Sequence, residues 1–427
     1  MTKNNEELAI FGGPKIIDKK FPPYNPYGKE EVKAAKRVVK SGILSKFLGI
    51  WHEDFYGGKM VKAFERAWEK HFEVKHAVAV NSATSGLMAA LGAVGIEPGD
   101  EVIVSPWTMS ATATAILVWN GIPVFADIEP DTFNLDPSDI EKKITPLTRA
   151  IVVTDIFGHG ADLKAIIKIA RKHGLKVIED AAQAPGAKYH EKFVGTNSDI
   201  GVFSLNYHKH IHTGEGGVCV TDDPALAERM QLIRNHGESV VSGKGLDDIS
   251  NIIGFNFRMG EIEAAMGLEQ LKKLTKIASD RSKVGNRLTR ELTGLKGLKT
   301  PVVKKNCTHV YYVYPMVIDG SLKTGKGKIV DALQAEGVPA MMRGYLNLHL
   351  LPMYQRMIAY GKKGFPWKGG CYKGKVSYKK GVCPVAEELH EKTFIGLMTC
   401  AHDFNDKEIR LVVKAFKKVW KNLERLK

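Results

Sequence analysis

Short apolar runs alternate with amphipathic stretches through the first half of the chain, and this rhythm predicts a sheet with crossover helices. Segments 76–80, 101–105, 123–126, 150–154 and 175–178 read as strands, and 85–94, 110–119 and 162–173 as helices between them. Strands joined through helices pair in parallel and are covered on both faces. A Pro- and Gly-rich arm (6–26) and a helix-like stretch (29–41) precede this alternation. From residue 259 the pattern changes. A long helical segment running to 277 and beyond leads out of the sheet, followed by a strand at 309–317 and a helix at 327–337. The closing helix carries Ile409, Val412, Phe416, Val419 and Leu423 at spacings of three and four, a core-packing stripe. The expected organisation is an N-terminal arm (1–28), a large α/β domain (29–258) and a small α+β domain (259–427) with a lysine-rich insertion at 361–381.

Composition narrows the class. With 427 residues and 44% hydrophobic side chains the chain can fill two cores. Residues 1–7 lack an apolar stretch and no run approaches the roughly 18 apolar residues of a membrane span, so a cytoplasmic protein with no membrane partner is expected. The five cysteines are scattered, without Cys-x-x-Cys spacing, which predicts reduced thiols and no metal.

Net charge complicates the picture. The formal charge is +15, and 361–381 holds seven lysines and no acid, interleaved with Phe365, Trp367, Tyr372 and Tyr378. Lysine with interleaved aromatics is the composition of a single-strand nucleic-acid surface. A solvated basic loop is the plainer reading and the preferred one, so no nucleic-acid partner is expected. A third reading is electrostatic attraction of a phosphorylated substrate to a site between subunits.

The candidate chemistry lies between residues 177 and 221. Asp180 ends one apolar strand, Lys209 follows the next (200–205), and the glycine-rich 213–217 leads into a third (218–221). Strands separated by crossovers end on one edge of a parallel sheet, so their loops converge there. A carboxylate and an amine so placed suit pyridoxal 5'-phosphate: Lys209 would hold it as a Schiff base, and Asp180 would keep its pyridine nitrogen protonated. Between a strand and a helix, the amides of Ala83 and Thr84 and the hydroxyls of Thr84 and Ser85 could face a phosphate dianion. Trp107 offers a plane for ring stacking or a core tryptophan. Gln183 could donate to the ring oxygen or be a surface amide.

Seven words in order, at 81–87, 102–108, 123–137, 178–183, 209–217, 234–237 and 254–265, resemble the DegT/StrS type of sugar aminotransferase, a branch of the fold type I pyridoxal phosphate enzymes. The resemblance spans essentially the whole chain. It implies a mostly parallel central sheet with helices on both faces and a smaller C-terminal α+β domain. It also implies roles: Lys209 as the Schiff-base lysine, Asp180 as partner of the ring nitrogen, Gln183 beside the ring hydroxyl and Trp107 as the stacking aromatic. Ser204 and the turn of Ala83 and Thr84 would bind phosphate. Asn256 would reach the neighbouring subunit's cofactor, implying an obligate homodimer with shared active sites. Ala83 stands where many relatives have Gly, which a backbone-only contact tolerates at negative φ. The dehydratase offshoot has His in place of the lysine, so Lys209 argues against that chemistry.

The implied activity moves an amino group from glutamate or glutamine to a keto sugar, first of all a nucleotide-linked deoxy-keto sugar for surface polysaccharide or secondary-metabolite synthesis. The basic excess suits a diphosphate. Residues 8–15, however, resemble the opening of relatives that aminate keto-cyclitols (inososes) or make aminobenzoate units. A non-catalytic regulator on the same fold is a rival class. His349, Tyr345 and the lysine-rich loop are candidate substrate contacts.

Overall fold

The computed structural model describes residues 6–427, so the first five residues of the expected arm lie outside the described residues. A seven-stranded sheet is built from β1 (His76–Val80), β2 (Glu101–Val104), β3 (Ile122–Phe125), β4 (Thr148–Thr154), β5 (Lys176–Asp180), β6 (Ile200–Ser204) and β7 (Gly217–Thr221), in the order β1-β7-β6-β5-β4-β2-β3. Its strands are buried on both faces. Val78 and Val80 join one apolar cluster, Ala77 and Ala79 another, as the two-residue period of a strand requires. Helices α1 (Lys29–Ser41), α2 (Lys59–Phe72), α3 (Ala83–Ala93), α4 (Ser110–Val118), α5 (Leu163–His173) and α6 (Pro224–Arg234) accompany the sheet. The long α7 (Glu261–Leu292) then leads to a four-stranded antiparallel sheet of β8 (Leu298–Lys299), β9 (Tyr314–Ile318), β10 (Met341–Met342) and β11 (Phe394–Leu397), packed with α8 (Lys326–Ala335) and α9 (Asp406–Lys421).

Two expectations change. The third strand of the 177–221 region, β7, pairs antiparallel with both β1 and β6. It therefore begins at the edge where β5 and β6 end, because residues 205–216 return directly without a crossover helix. The strand expected over 309–317 is regular only from Tyr314. Tyr311 has φ 46°, and Val310 N and Tyr312 N donate instead to the carbonyls of Gly158 and Phe157. That kink buries the Tyr311 ring against β9, where it packs on Tyr314.

The lysine-rich insertion covers the free edge of the sheet. Edge strand β3 contains Pro123, which has no N–H to offer, and its exposed carbonyls are met from the insertion side: Tyr378 Oη donates to Pro123 O at 2.7 Å and Cys383 Sγ to Phe125 O at 3.9 Å. Trp367 Nε1 donates to Tyr378 Oη at 2.8 Å, and Tyr372 Oη to Glu101 at the start of β2 at 2.6 Å. Trp367 and Tyr378 are buried and all seven lysines are exposed. Trp367 and Tyr378 are thus spent on packing, while Phe365 and Tyr372 are half-buried. The loop's anchors thus lie at the starts of β2 and β3, and none of its residues lines the cavity at the ends of β5 and β6.

Candidate active site

The ends of β5 and β6, the start of β7 and the turn after β1 enclose a cavity of about 200 Å3. Asp180 closes its floor. Its Oδ2 accepts from Thr112 Oγ1 at 2.7 Å and its Oδ1 from Ala182 N at 3.2 Å, and Thr112 is in turn bonded to Thr108 at 2.7 Å. Burial raises the Asp180 carboxyl above its ordinary value, opposed by those two hydrogen bonds and by the charge of Lys209. Lys209, 8% exposed, sits on a turn closed by its own N–H to Asn206 O at 2.9 Å. Its Nζ lies 4.5 Å from the centroid of the Tyr312 ring. Burial pulls the amine down to about 8, with Asp180 partly restoring it. A neutral, nucleophilic amine is therefore accessible near neutral pH.

The opposite end of the cavity is the N-terminus of α3. Ser82 caps it, its Oγ accepting from Ser85 N at 3.1 Å, and Ala83 and Thr84 form the first turn in the cavity wall. Ser85, expected to face a dianion, instead donates to Asn81 Oδ1 at 2.6 Å and turns away. The wall continues with Ser204, whose Oγ accepts from Asn206 N at 3.3 Å. Gly217 runs so close behind that a Cβ there would come within 2.7 Å of Ala83 N, so only glycine lets β7 pass this turn. Unpaired first-turn amides and the positive end of the helix suit a phosphate.

Gln183 and Tyr345 also line the cavity. Gln183 Oε1 accepts from Phe157 N at 2.8 Å, which leaves its Nε2 facing inward, 3.3 Å from Tyr345 Oη. Two expected contacts are elsewhere. Trp107 is 0% exposed, stacked on Phe133 at 5.9 Å, with its indole N–H donated to Asn347 Oδ1 at 2.7 Å. It is a core tryptophan, and Met109, two residues on and 64% exposed, is the side chain in the cavity wall. His349 is likewise fully buried, its Nε2 2.8 Å from Glu387 Oε1, and Glu387 also accepts from Gly381 N at 2.8 Å. That pair anchors the end of the insertion and is not part of this cavity's lining. Asn256 is exposed and outside this wall, its carbonyl accepting from Asn81 Nδ2 at 3.4 Å. Sequence reasoning missed Thr112, Met109, His208, Glu215 and Tyr312. Only His208 and Glu215, beside the lysine and within the glycine-rich word, had a local signal.

The profile of the DegT/DnrJ/EryC1/StrS aminotransferase family matches residues 50–369. The chain belongs to that family. It is 35% identical over 368 residues to the spore coat polysaccharide biosynthesis protein SpsC of Bacillus subtilis (strain 168), covering 84% of this chain and 91% of the relative. It is also 31% identical to an L-glutamine:2-deoxy-scyllo-inosose aminotransferase of Micromonospora echinospora, across 98% of this chain and 99% of that one. Among solved structures, DesI in the presence of its TDP-sugar product superposes with a TM-score of 0.80 at 27% identity, covering 99% of this chain and 98% of its own. The DegT/StrS fold is that of pyridoxal phosphate aminotransferases, and the chain is an enzyme of this class. The residues present fit that cofactor. A buried carboxylate, a buried amine with a depressed pKa and a helix N-terminus share one cavity, as ring nitrogen, aldehyde and phosphate require. Among the described residues no group of His, Cys, Asp and Glu could hold a metal ion, and no helix is long and apolar enough to cross a membrane.

Proposed function

We propose that this DegT/StrS enzyme moves an amino group from glutamate or glutamine to the ketone carbon of a polyhydroxylated ring, with Lys209 carrying the proton and Asp180 serving the cofactor's pyridine nitrogen. The observation that carries this reading is the convergence of Lys209, Asp180 and the start of α3 on one cavity. Bound there, pyridoxal phosphate supplies an electron sink that makes the donor's α-hydrogen acidic. The chain does the rest. Asp180, fixed by Thr112 and Ala182, would supply the carboxylate partner of the ring nitrogen. Ala83, Thr84 and Ser204 would hold the phosphate, and the inward amide of Gln183 would donate to the ring oxygen. Lys209 Nζ would act as the base that takes the donor's α-proton and, once protonated, as the acid that gives a proton back, in both halves of the transfer.

Of the two acceptor classes, the free keto-cyclitol is the better supported. The argument from net charge for a diphosphate loses its footing, because the lysines of 361–381 face solvent at the far end of the sheet. Lys209 is the sole lysine or arginine among the described residues of the cavity wall, and it is occupied by chemistry. A nucleotide-linked keto sugar is the second reading, supported by the likeness to DesI.

The same site is proposed to be shared in a homodimer. A cavity of about 200 Å3 is smaller than the roughly 300–1,000 Å3 of a complete ligand site. Met109 in its wall is 64% exposed, Tyr207 between the wall residues Asn206 and His208 is 68% exposed, and Ile43, Leu44, Ile50 and Trp51 expose apolar surface after α1. Asn256 is the residue proposed to cross into the second copy.

The deciding experiment follows the cofactor's visible absorbance on adding glutamate or glutamine, then restores it with a panel of inososes and keto-sugar nucleotides. Loss of the band with a donor and its recovery with an inosose are expected. A holoenzyme whose spectrum answers neither donor is the regulator, not the transaminase.

A further inference from the structure

Two histidines flank Lys209, and their surroundings differ. His210 is fully buried, with Nε2 2.8 Å from Val310 O, and burial drives it down to about 3. It is structural. His208 is half-buried and lines the cavity, its ring edge-on to Tyr207 at 4.9 Å and tilted over Tyr312 at 6.0 Å. Neither of its nitrogens is hydrogen-bonded to any described residue. In the same wall Asn206 Nδ2 donates to Glu215 Oε1 at 2.8 Å while its Oδ1 is buried without a partner, and Asp180, Gln183 and Ser204 hold the partners given above. Burial and the adjacent Lys209 charge push the His208 ring down to about 4, so it is neutral at ordinary pH.

A neutral imidazole offers one N–H and one lone pair. It gives a carboxylate or a diphosphate no charge to bind. It matches a hydroxyl, which likewise donates and accepts, and a polyhydroxylated ring carries hydroxyls beside its ketone carbon whereas glutamate and glutamine carry none.

We propose that His208 is a specificity-determining contact for the acceptor, hydrogen-bonding a ring hydroxyl next to the reacting carbon and acting only in the half of the reaction that aminates it. This deepens the aminotransferase reading of the site and rests on it. The test separates the two halves in the holoenzyme by stopped-flow absorbance, with glutamine or glutamate for the first and 2-deoxy-scyllo-inosose, or a TDP-keto sugar if that reacts faster, for the second. His208→Phe keeps ring size and loses both polar atoms; His208→Gln keeps a donor and an acceptor.

The expected result is a donor half-reaction within about twofold of wild type in both variants. The acceptor concentration giving half-maximal rate should rise about tenfold in His208→Phe, the size of one lost hydrogen bond, and return most of the way in His208→Gln. A parallel titration of the cofactor spectrum with the aminated product should show the same shift in affinity. Equal losses in both halves, or an unchanged acceptor half, overturn the proposal. A wild-type enzyme that reacts with no donor overturns the reading beneath it instead, and the two failures are distinguishable because that control is run first. Should His208→Phe not take up cofactor, His208→Leu takes its place beside His208→Gln and wild type: a loss confined to the acceptor half in His208→Leu supports the role, and an equal loss in both halves, or none in the acceptor half, rejects it.

Discussion

Lysines and aromatics gather at both ends of the central strands, but they line a cavity at one end and pack an edge at the other. Where β5 and β6 finish, Lys209, Tyr312 and Tyr345 face a cavity beside a buried carboxylate. Where β2 and β3 begin, residues 361–381 turn Trp367 and Tyr378 into the protein and every lysine outward. Loops splay apart at the carboxyl ends of parallel strands and leave room for a ligand, whereas an edge strand must be covered. Similar composition therefore surrounds the proposed chemistry at one end and seals a sheet edge at the other. What separates them is burial of the charge: Lys209 is drawn down to about 8 by its surroundings, while the lysines of the insertion stay in water.

Lys209→Ala tests the chemical end most severely. Turnover should fall by roughly four orders of magnitude, the upper range for loss of a positioned acid/base, and the visible band of the covalently held cofactor should vanish while the fold persists by circular dichroism. Normal turnover would erase the distinction between the two ends. Asp180→Asn is the next largest. The amide keeps the shape and the Thr112 contact but not the charge, so cofactor should still bind and the donor half-reaction should slow about 10²–10³-fold, as when one preorganised electrostatic partner is removed. An unimpaired half-reaction would show that Asp180 does not serve the ring nitrogen.

The covering end answers to stability, not catalysis. Trp367 is buried against Tyr354 and Tyr378, so Trp367→Ala should cost about 3–5 kcal/mol of folding free energy. The Tm falls accordingly, and kcat of the folded fraction at low temperature stays near wild type. A large fall in kcat without a fall in Tm would give the insertion a catalytic role after all.

How much of this was legible in the sequence depended on where each residue's partner lay. Asp180 and Lys209 were readable because a strand end fixes its loop, and that holds although β7 runs the other way. Helix α2 was missed although Val61, Phe64, Trp68 and Phe72 have helical spacing. It lacks a local capping side chain, since its first amides, Met60 N and Val61 N, bond to Glu261 at 2.8 and 3.1 Å, far along the chain. Helix α6 was missed despite Asp223 as cap and Pro224 in its first turn, signals that were present and unused. Trp107 and Met109 illustrate the harder limit. Which of two residues at a strand-to-helix turn faces the ligand depended on Asn347, which bonds the indole from across the fold. His349 was drawn away in the same manner by Glu387.

A pH series sharpens the contrast in charge burial. Below pH 8 the Lys209 amine of the cofactor-free protein is mostly protonated, and above it mostly free, since burial has lowered its pKa to about 8. The rate at which apoprotein captures pyridoxal phosphate should therefore rise about tenfold from pH 7 to pH 9 and level off above it. A rate still climbing steeply beyond pH 10 would place Lys209 with the solvated lysines.

The smallest effect is expected from the most conspicuous feature of the composition. Replacing Lys362, Lys363, Lys373 and Lys375 together by Glu removes much of the basic excess, yet each is exposed and without an ion-pair partner among the described residues. Surface changes of this kind move stability by within about 0.5 kcal/mol each, and charges far from the cavity are screened beyond roughly 8–10 Å at ordinary ionic strength. Steady-state kcat/KM should stay within about twofold of wild type at 150 mM salt. If these lysines instead steered a phosphorylated acceptor, kcat/KM would drop at low salt in the variant, and the salt dependence seen in wild type would flatten. That outcome would return the diphosphate substrate to first place, because it would show that the insertion's field reaches round the sheet to the cavity. The indifference expected here follows from geometry: the lysines ride on a loop whose anchors, Trp367, Tyr372 and Tyr378, all point at the end of the strands where no cofactor contact lies.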